Sequence, residues 1–177
     1  MNISIRTKIA ALCLFAASTS GLQAQTPAAP GAPRTPPPLA RSIGIDLALQ
    51  AAQTAVASCT ASGYNVGVTV LDAGGVIRLM YASDKAGGGP IDSATKKAYT
   101  ALTFKESTAD VATQQAADPA VDAKIKADPK LFPRAGGFPL MAGTELVGAI
   151  GVGGAPGGEK DAVCAQAGIA KIQGMIK

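Results

Sequence analysis

Two glycine-punctuated hairpin signals, set apart by a long stretch of helical spacing, constrain this chain more than any other feature. "YNVGVTVLD" (64–72) and "GVIRLMYA" (75–82) are rich in β-branched and aromatic residues and are joined through Asp72, Ala73, Gly74 and Gly75. Glycine supplies the positive φ angles of a tight turn, so the two runs read as antiparallel strands, with Asp72 as a turn-former. "GGFPLM" and "ELVGAIGVG" repeat the pattern through a turn at 142–144.

Helical spacing fills the rest. Ile45, Ala48, Leu49, Ala52, Val56 and Cys59 recur at intervals of three and four and predict a first helix with a buried stripe, Asp46 as its N-cap and Gly63 as its stop. "IDSATKKAYTALTF" (91–104) predicts a second, with Ile91, Ala94, Ala98, Ala101 and Leu102 on one side and Lys96 and Lys97 elsewhere. Ser107 and Thr108 offer caps for a short helix over 109–115, and one more fits between Asp118-Pro119 and Asp128-Pro129. A last helix over 159–176 carries Cys164, Gly168, Ile172 and Met175 on its apolar side. The fold class is α+β: one antiparallel sheet covered by the first and last helices.

Ahead of this domain, residues 1–24 read as a signal peptide. Arg6 and Lys8 precede the apolar "IAALCLFAA", and "LQA" precedes Gln25. Nine apolar residues are too few to span a bilayer, and Cys13 lies inside the apolar stretch, where it makes no lipid-anchored N-terminus. Residues 25–44 form a Pro/Ala-rich leader read as a spacer, and 45–177 form the domain. The expected location is periplasmic or secreted.

Cleavage removes two basic residues and no acids, so the net charge of +4 becomes +2, too weak and too scattered a balance for nucleic acid. The chain has no histidine. Ser-His-Asp and Cys-His catalysis, imidazole zinc sites and histidine-ligated haem are thereby excluded. Carboxylates are sparse and isolated, which leaves metal cages and paired-carboxylate hydrolysis without support. Cys59 and Cys164 both fall on apolar helix stripes in a chain bound for an oxidising compartment. Side-by-side helices would join them in a disulfide; otherwise they are two buried thiols.

"VGAIGVGGAPGGEKD" (147–161) invites a nucleotide-binding reading, because six glycines precede a helix. Gly151, Gly153 and Gly157 miss the dinucleotide spacing by one residue, and no second strand follows the helix. Gly153, Gly158 and Lys160 likewise miss the P-loop spacing, and Asp161 stands where Ser or Thr should hold magnesium. The glycines read instead as packing and turn devices: Gly148 and Gly151 let a helix approach the strand, and 153–158 turn into the last helix. The free N–H groups at that helix start remain available to a ligand carboxylate.

Taken in order, "VTVLDAGGVIRLM", "DSATKKAYTALTF", "GGFPL" and "VGAIGVGGAPGGEKDAVCAQAGI" resemble the GlcG/HbpS-like family, often labelled haem-degrading domains, over 45–172. The resemblance implies a profilin-like layered fold with a five-stranded antiparallel sheet flanked by helices, and frequent homo-oligomers. It implies haem or related tetrapyrroles as ligands of some members, while others sit beside organic-acid metabolism. The matching positions are Asp72, Gly74 and Gly75, then Lys97, Tyr99 and Thr100, then Gly136, Gly137 and Pro139, then Gly148, Gly151, Gly153 and Gly154. Of these, the resemblance marks Lys97, Tyr99, Thr100, Gly136, Gly137, Gly153 and Gly154 as cofactor-binding candidates. Several members are expected to carry a histidine after "GGGP", where this chain has Ile91.

Haem would then be held by its apolar faces and its propionates near the Lys97 helix, with Tyr, Met, Lys, a hydroxyl or water left as iron ligands. The expectation is an exported, homo-oligomeric haem-binding protein. Its alternatives are a small organic-acid-binding accessory module and a haem-degrading enzyme that relies on the cofactor's chemistry or on a shifted Lys or Tyr.

Overall fold

A computed structural model describes residues 41–177; the expected signal peptide and all but the last four residues of the expected leader lie outside the described residues. Nine elements follow in order: α1 Ile45–Ala61, β1 Gly67–Asp72, β2 Ile77–Ala82, α2 Gly88–Phe104, α3 Thr108–Ala117, α4 Pro119–Ala127, β3 Gly137–Ala142, β4 Glu145–Gly153 and α5 Gly158–Ile172. The strands form one antiparallel sheet in the order β2-β1-β4-β3.

The five strands implied by the family resemblance are therefore four among the described residues. Past the end of β1, Ile43 gives Val147 of β4 a single backbone hydrogen bond (3.1 Å), and α1 starts two residues later, before a ladder can extend.

Both hairpins form where the sequence places them. In the first turn Asp72 Oδ1 accepts the backbone N–H groups of Gly74 and Val76, each at 2.9 Å, and Gly75 sits at φ +81°, a conformation that favours glycine.

Alternation along the strands sorts side chains between two layers. Val68 and Val70 of β1, with Val147, Ile150 and Val152 of β4, meet α1 and α5 in the main core. Thr69 and Leu71 point to the opposite face, where α2 lies over β4, β1 and β3. The first and last helices do share one face of the sheet, and α2 covers the other.

The α1 stripe is rotated from the expected one. Ala48, Ala51, Ala52, Ala55, Val56 and Cys59 are buried, whereas Ile45 and Leu49 are 48% and 37% exposed. The cause is close packing: alanines of α1 meet α5 so tightly that a Cβ on Gly168 would lie 2.4 Å from the Ala51 carbonyl oxygen. Only small side chains fit that seam, so the larger ones are turned outward. Gly44, not Asp46, takes the N-cap position, and Asp46 lies in the first turn. α5 ends at Ile172, leaving Met175 beyond it and exposed. Cys59 and Cys164 form a disulfide that ties α1 to α5.

α2 approaches the sheet just as closely. A Cβ on Gly151 would stand 2.1 Å from the Ala94 carbonyl oxygen and 2.6 Å from the Ala98 nitrogen, so Gly151 is the packing glycine expected. Gly148 is not: it is crowded by the Leu71 carbonyl of the neighbouring strand. β4 is paired on both edges and cannot retreat from an added methyl. Gly151→Ala is expected to lower stability by about 1–3 kcal/mol, the usual range of core overpacking, read as a lower urea midpoint. Gly89→Ala, in the first turn of α2 with open space around it, serves as the control and should be neutral or slightly stabilising.

α3 and α4 complete the molecule beside α2, around Val111, Ile125 and Leu131. Ser107 caps α3 through Asp110 N, and Asp118 caps α4 through Ala120 N, with Pro119 at the helix start. Hydrogen bonds from Lys126, and then from Gln115 of α3, hold the Asp122 carboxyl below the usual carboxylate range.

Candidate functional site

The candidate residues divide into two groups. Lys97 lies on the apolar face of α2 with Ala94, Ala98 and Ala101, contrary to the expectation that it stands elsewhere on the helix. Its ammonium donates to Asp161 Oδ2 at 2.6 Å and to the Val152 carbonyl at 3.0 Å, and the two charged side chains are 3% and 4% exposed. Asp161 Oδ1 also accepts the Ala155 N–H at 2.9 Å, so this one carboxylate anchors the glycine-rich loop and the lysine together.

The glycines are shaped by this contact. Gly136, at φ +121°, has no room for a side chain: a Cβ would lie 2.7 Å from the Val152 oxygen, 2.8 Å from Asp161 Cβ and 3.0 Å from Lys97 Nζ. Gly137 is pressed against the Lys97 carbonyl, and its N–H is taken by Thr108 Oγ1. Gly153 and Gly154 lie against Pro90, and Thr100 Oγ1 accepts the Phe132 N–H at 2.7 Å while donating to the Lys96 carbonyl. Six of the seven cofactor-binding candidates thus form a packed junction between α2, the β3 entry and the start of α5. Lys97 and Thr100 spend their polar atoms on protein partners.

Tyr99 belongs to a different place. It lines an open cleft of about 310 Å³ between α2 and the β1–β2 hairpin, within the usual size range of small-molecule sites. Ile77 contributes apolar surface above the buried Leu71, Thr95 and Tyr99 line the α2 side, and Asp92, Lys96 and Lys130 add charges. Asp92, Thr95, Lys96 and Tyr99 follow i, i+3, i+4, i+7 spacing and so share one helix face. Thr95 is fully engaged, donating to the Ile91 carbonyl and bonded to Thr69 Oγ1, and Lys96 pairs with Asp92 at 2.8 Å.

The cleft opens onto a bare strip. α2 barely reaches the edge strand β2, leaving Ile77 and Met80 46% and 45% exposed. Met80 pairs with Thr69 and Ile77 with Leu71, which places both on the α2 face of the sheet, continuous with the cleft. An apolar shelf beside two ammonium groups and a phenol fits a flat, apolar anion. Ile77 and Met80 would meet a porphyrin face, and Lys130, with Lys96 on giving up its exposed pair with Asp92, would meet propionates.

Sequence reasoning missed Lys96, Lys130, Ile77 and Met80. The i, i+3, i+4, i+7 pattern through Asp92, Lys96 and Tyr99 was a readable signal; Lys130 and the bareness of β2 depend on packing.

A second hollow of about 370 Å³ flanks the start of α5, lined by Arg134, Ala135, Gly157, Gly158 and Glu159 on one side and Ala109 and Ala112 of α3 on the other. Among the described residues no group of three or more His, Cys, Asp or Glu is placed to hold a metal ion, and no helix is long and apolar enough to cross a membrane.

Comparison with known proteins agrees with this architecture. A double mutant of HbpS from Streptomyces reticuli is 32% identical, with a TM-score of 0.69, covering 84% of this chain and 97% of the other. A second HbpS structure is 34% identical, with a TM-score of 0.68 and coverage of 81% and 96%. The PduOC:heme complex is 25% identical, with a TM-score of 0.68 and coverage of 74% and 95%. No curated protein matches the chain. The model of one family, described as haem degrading protein HbpS-like, matches residues 43–170, and this chain belongs to that family.

Proposed function

We propose that this chain is an exported haem-binding or haem-handling protein, acting in the periplasm or outside the cell as a homo-oligomer. The observation that carries the haem reading is the apolar shelf of Ile77 and Met80, continuous with a cleft that has Lys96 and Lys130 beside it. Exposed apolar surface rimmed by charge is a mark of binding surfaces. Membership in a haem-related family and likeness to a heme complex support the same ligand. The cleft is open and small, so haem rests on the surface with part of its edge outside.

The test is a haemin titration of the purified protein, followed at the Soret band against unfolded protein. A saturable shift at one haem per chain is expected, with Lys96→Ala and Lys130→Ala each weakening affinity by up to about fivefold, the scale of exposed ion pairs. Gradual, unsaturable change matching the unfolded control would exclude the site. The second reading is a small organic acid held in the hollow at the α5 start, which Arg134 favours. A thermal shift with millimolar organic acids, abolished by Arg134→Ala, would select it.

A further inference from the structure

We propose that two copies of this chain join at the exposed edge of β2, their β2 strands pairing antiparallel about a two-fold axis at Tyr81; this rests on the homo-oligomer reading above and is independent of the haem reading. The sheet has two edges, and the chain closes only one of them. In β3 the bond from the Val152 N–H to the Gly136 carbonyl makes those residues a hydrogen-bonded pair, so by alternation Gly137 and Pro139 turn their backbone to the open side. Pro139 has no N–H to offer, and Gly137 gives its own to Thr108 Oγ1 of α3. In β2 the bond from the Ser83 N–H to the Val66 carbonyl sets the same alternation, and the backbone groups of Met80 and Ala82 point outward. Ile77–Ala82 holds no proline, and among the described residues nothing bonds to those outward groups.

The strand is complementary to itself. With the axis at Tyr81, Met80 of each copy stands opposite Ala82 of the other, and the outward groups of both are satisfied. The same register lays Arg78 opposite the exposed Asp84 of the other copy, and does so twice by symmetry. Within one chain Arg78 has only Asp72, at 4.0 Å. Moving the axis to Met80 or to Ala82 would set Arg78 against an alanine instead, Ala82 or Ala86. Apolar surface flanks the edge on both faces: Ile77 and Met80 on the α2 side, Tyr81 on the α1 side. Because α1 turns Ala51 and Ala55 toward Gly168 of α5, its exposed Ile45 and Leu49 stand on the far side, over β2. An edge that works alone is blunted by charge, proline or cover, as β3 is. Pairing leaves the α2 face open and sets the two apolar shelves side by side.

Sedimentation velocity of the purified protein, of Arg78→Asp, of Asp84→Arg and of the double exchange provides the test. The expected wild type is a dimer or an assembly built from dimers. Each single variant sets like charges opposite one another twice and should raise the dissociation constant of the dimer at least about tenfold, and the double exchange should return it to within about threefold of the wild type. Tyr81→Cys fixes the axis. Opposed residues at a non-hydrogen-bonded position lie close enough for a disulfide, so this variant should oxidise to a covalent dimer, whereas Leu79→Cys should not. With Cys59 and Cys164 bridged, the new thiol has no partner within the described residues of its own chain. A wild type that stays monomeric at micromolar concentrations overturns this interface together with the homo-oligomer reading. An assembly that is indifferent to both single variants, or that Tyr81→Cys does not cross-link, overturns the β2 interface and leaves the homo-oligomer reading standing. Arg78, Tyr81 and Asp84 are all exposed, and the cross-link reads the interface even if a charge variant fails to fold.

Discussion

Lys97→Ala is expected to remove about 3–5 kcal/mol of stability, the cost of breaking one side of a buried ion pair. The loss follows from what stays behind. Asp161 would keep its Ala155 N–H bond but lose the Lys97 cation, in a junction where both side chains are almost completely buried. The Val152 carbonyl loses a donor in the same step. Urea denaturation provides the measurement, and a loss below about 1 kcal/mol, typical of exposed pairs, would contradict the buried geometry. Removing both charges together, as in Lys97→Met with Asp161→Leu, should recover part of the loss, since the orphaned charge is then gone. Haemin affinity of the folded Lys97→Ala protein should stay near wild type, because Lys97 does not line the cleft.

Much of the architecture was written locally. The first hairpin is legible because Asp72 and Gly75 serve a turn that needs an acceptor and a positive φ, and both act within five residues. The glycine-rich stretch ends β4 and turns into α5 as its spacing suggested, and Gly151 packs under α2. The burial of Lys97 was half legible. It stands three residues after Ala94 and four before Ala101, in register with the apolar stripe, but nothing near it in sequence announces a carboxylate. Its partner is 64 residues away and is brought in only when the glycine loop folds across the β3 entry.

The cleft was harder to foresee for a related reason. "VIRLMYA" reads as an apolar strand, and a strand's sequence does not say which part of it a helix will cover. Ile77 and Met80 are bare because α2 is centred over β4, drawn there by Gly151 and by the alanines facing it. The same glycine that seats the helix therefore uncovers the shelf. The family positions, taken as a set, fall in two places: six of the seven candidates serve the junction, and only Tyr99 reaches the cleft.

Removing the disulfide, as Cys59→Ala with Cys164→Ala, is expected to lower stability by about 4 kcal/mol, which is a fall of about 10–20 °C in Tm for a domain of this size. The bridge spans 105 residues, so it restrains nearly the whole folded domain in its unfolded state, and loop-closure entropy predicts a large effect from so long a loop. It also joins α1 and α5 near one end of their seam, while Gly168 against Ala51 holds the seam further along. The helices should therefore stay docked without it, and far-UV circular dichroism of the folded double variant should match the wild type. The urea m-value separates the entropic cause from lost packing. Freed of its cross-link, the unfolded chain exposes more surface, and m should rise. A loss of stability with m unchanged would assign the bridge's contribution to the native seam. Because both cysteines are buried, reductant should act on the native protein only through opening of this seam, and reduction should accelerate in urea as that opening becomes frequent.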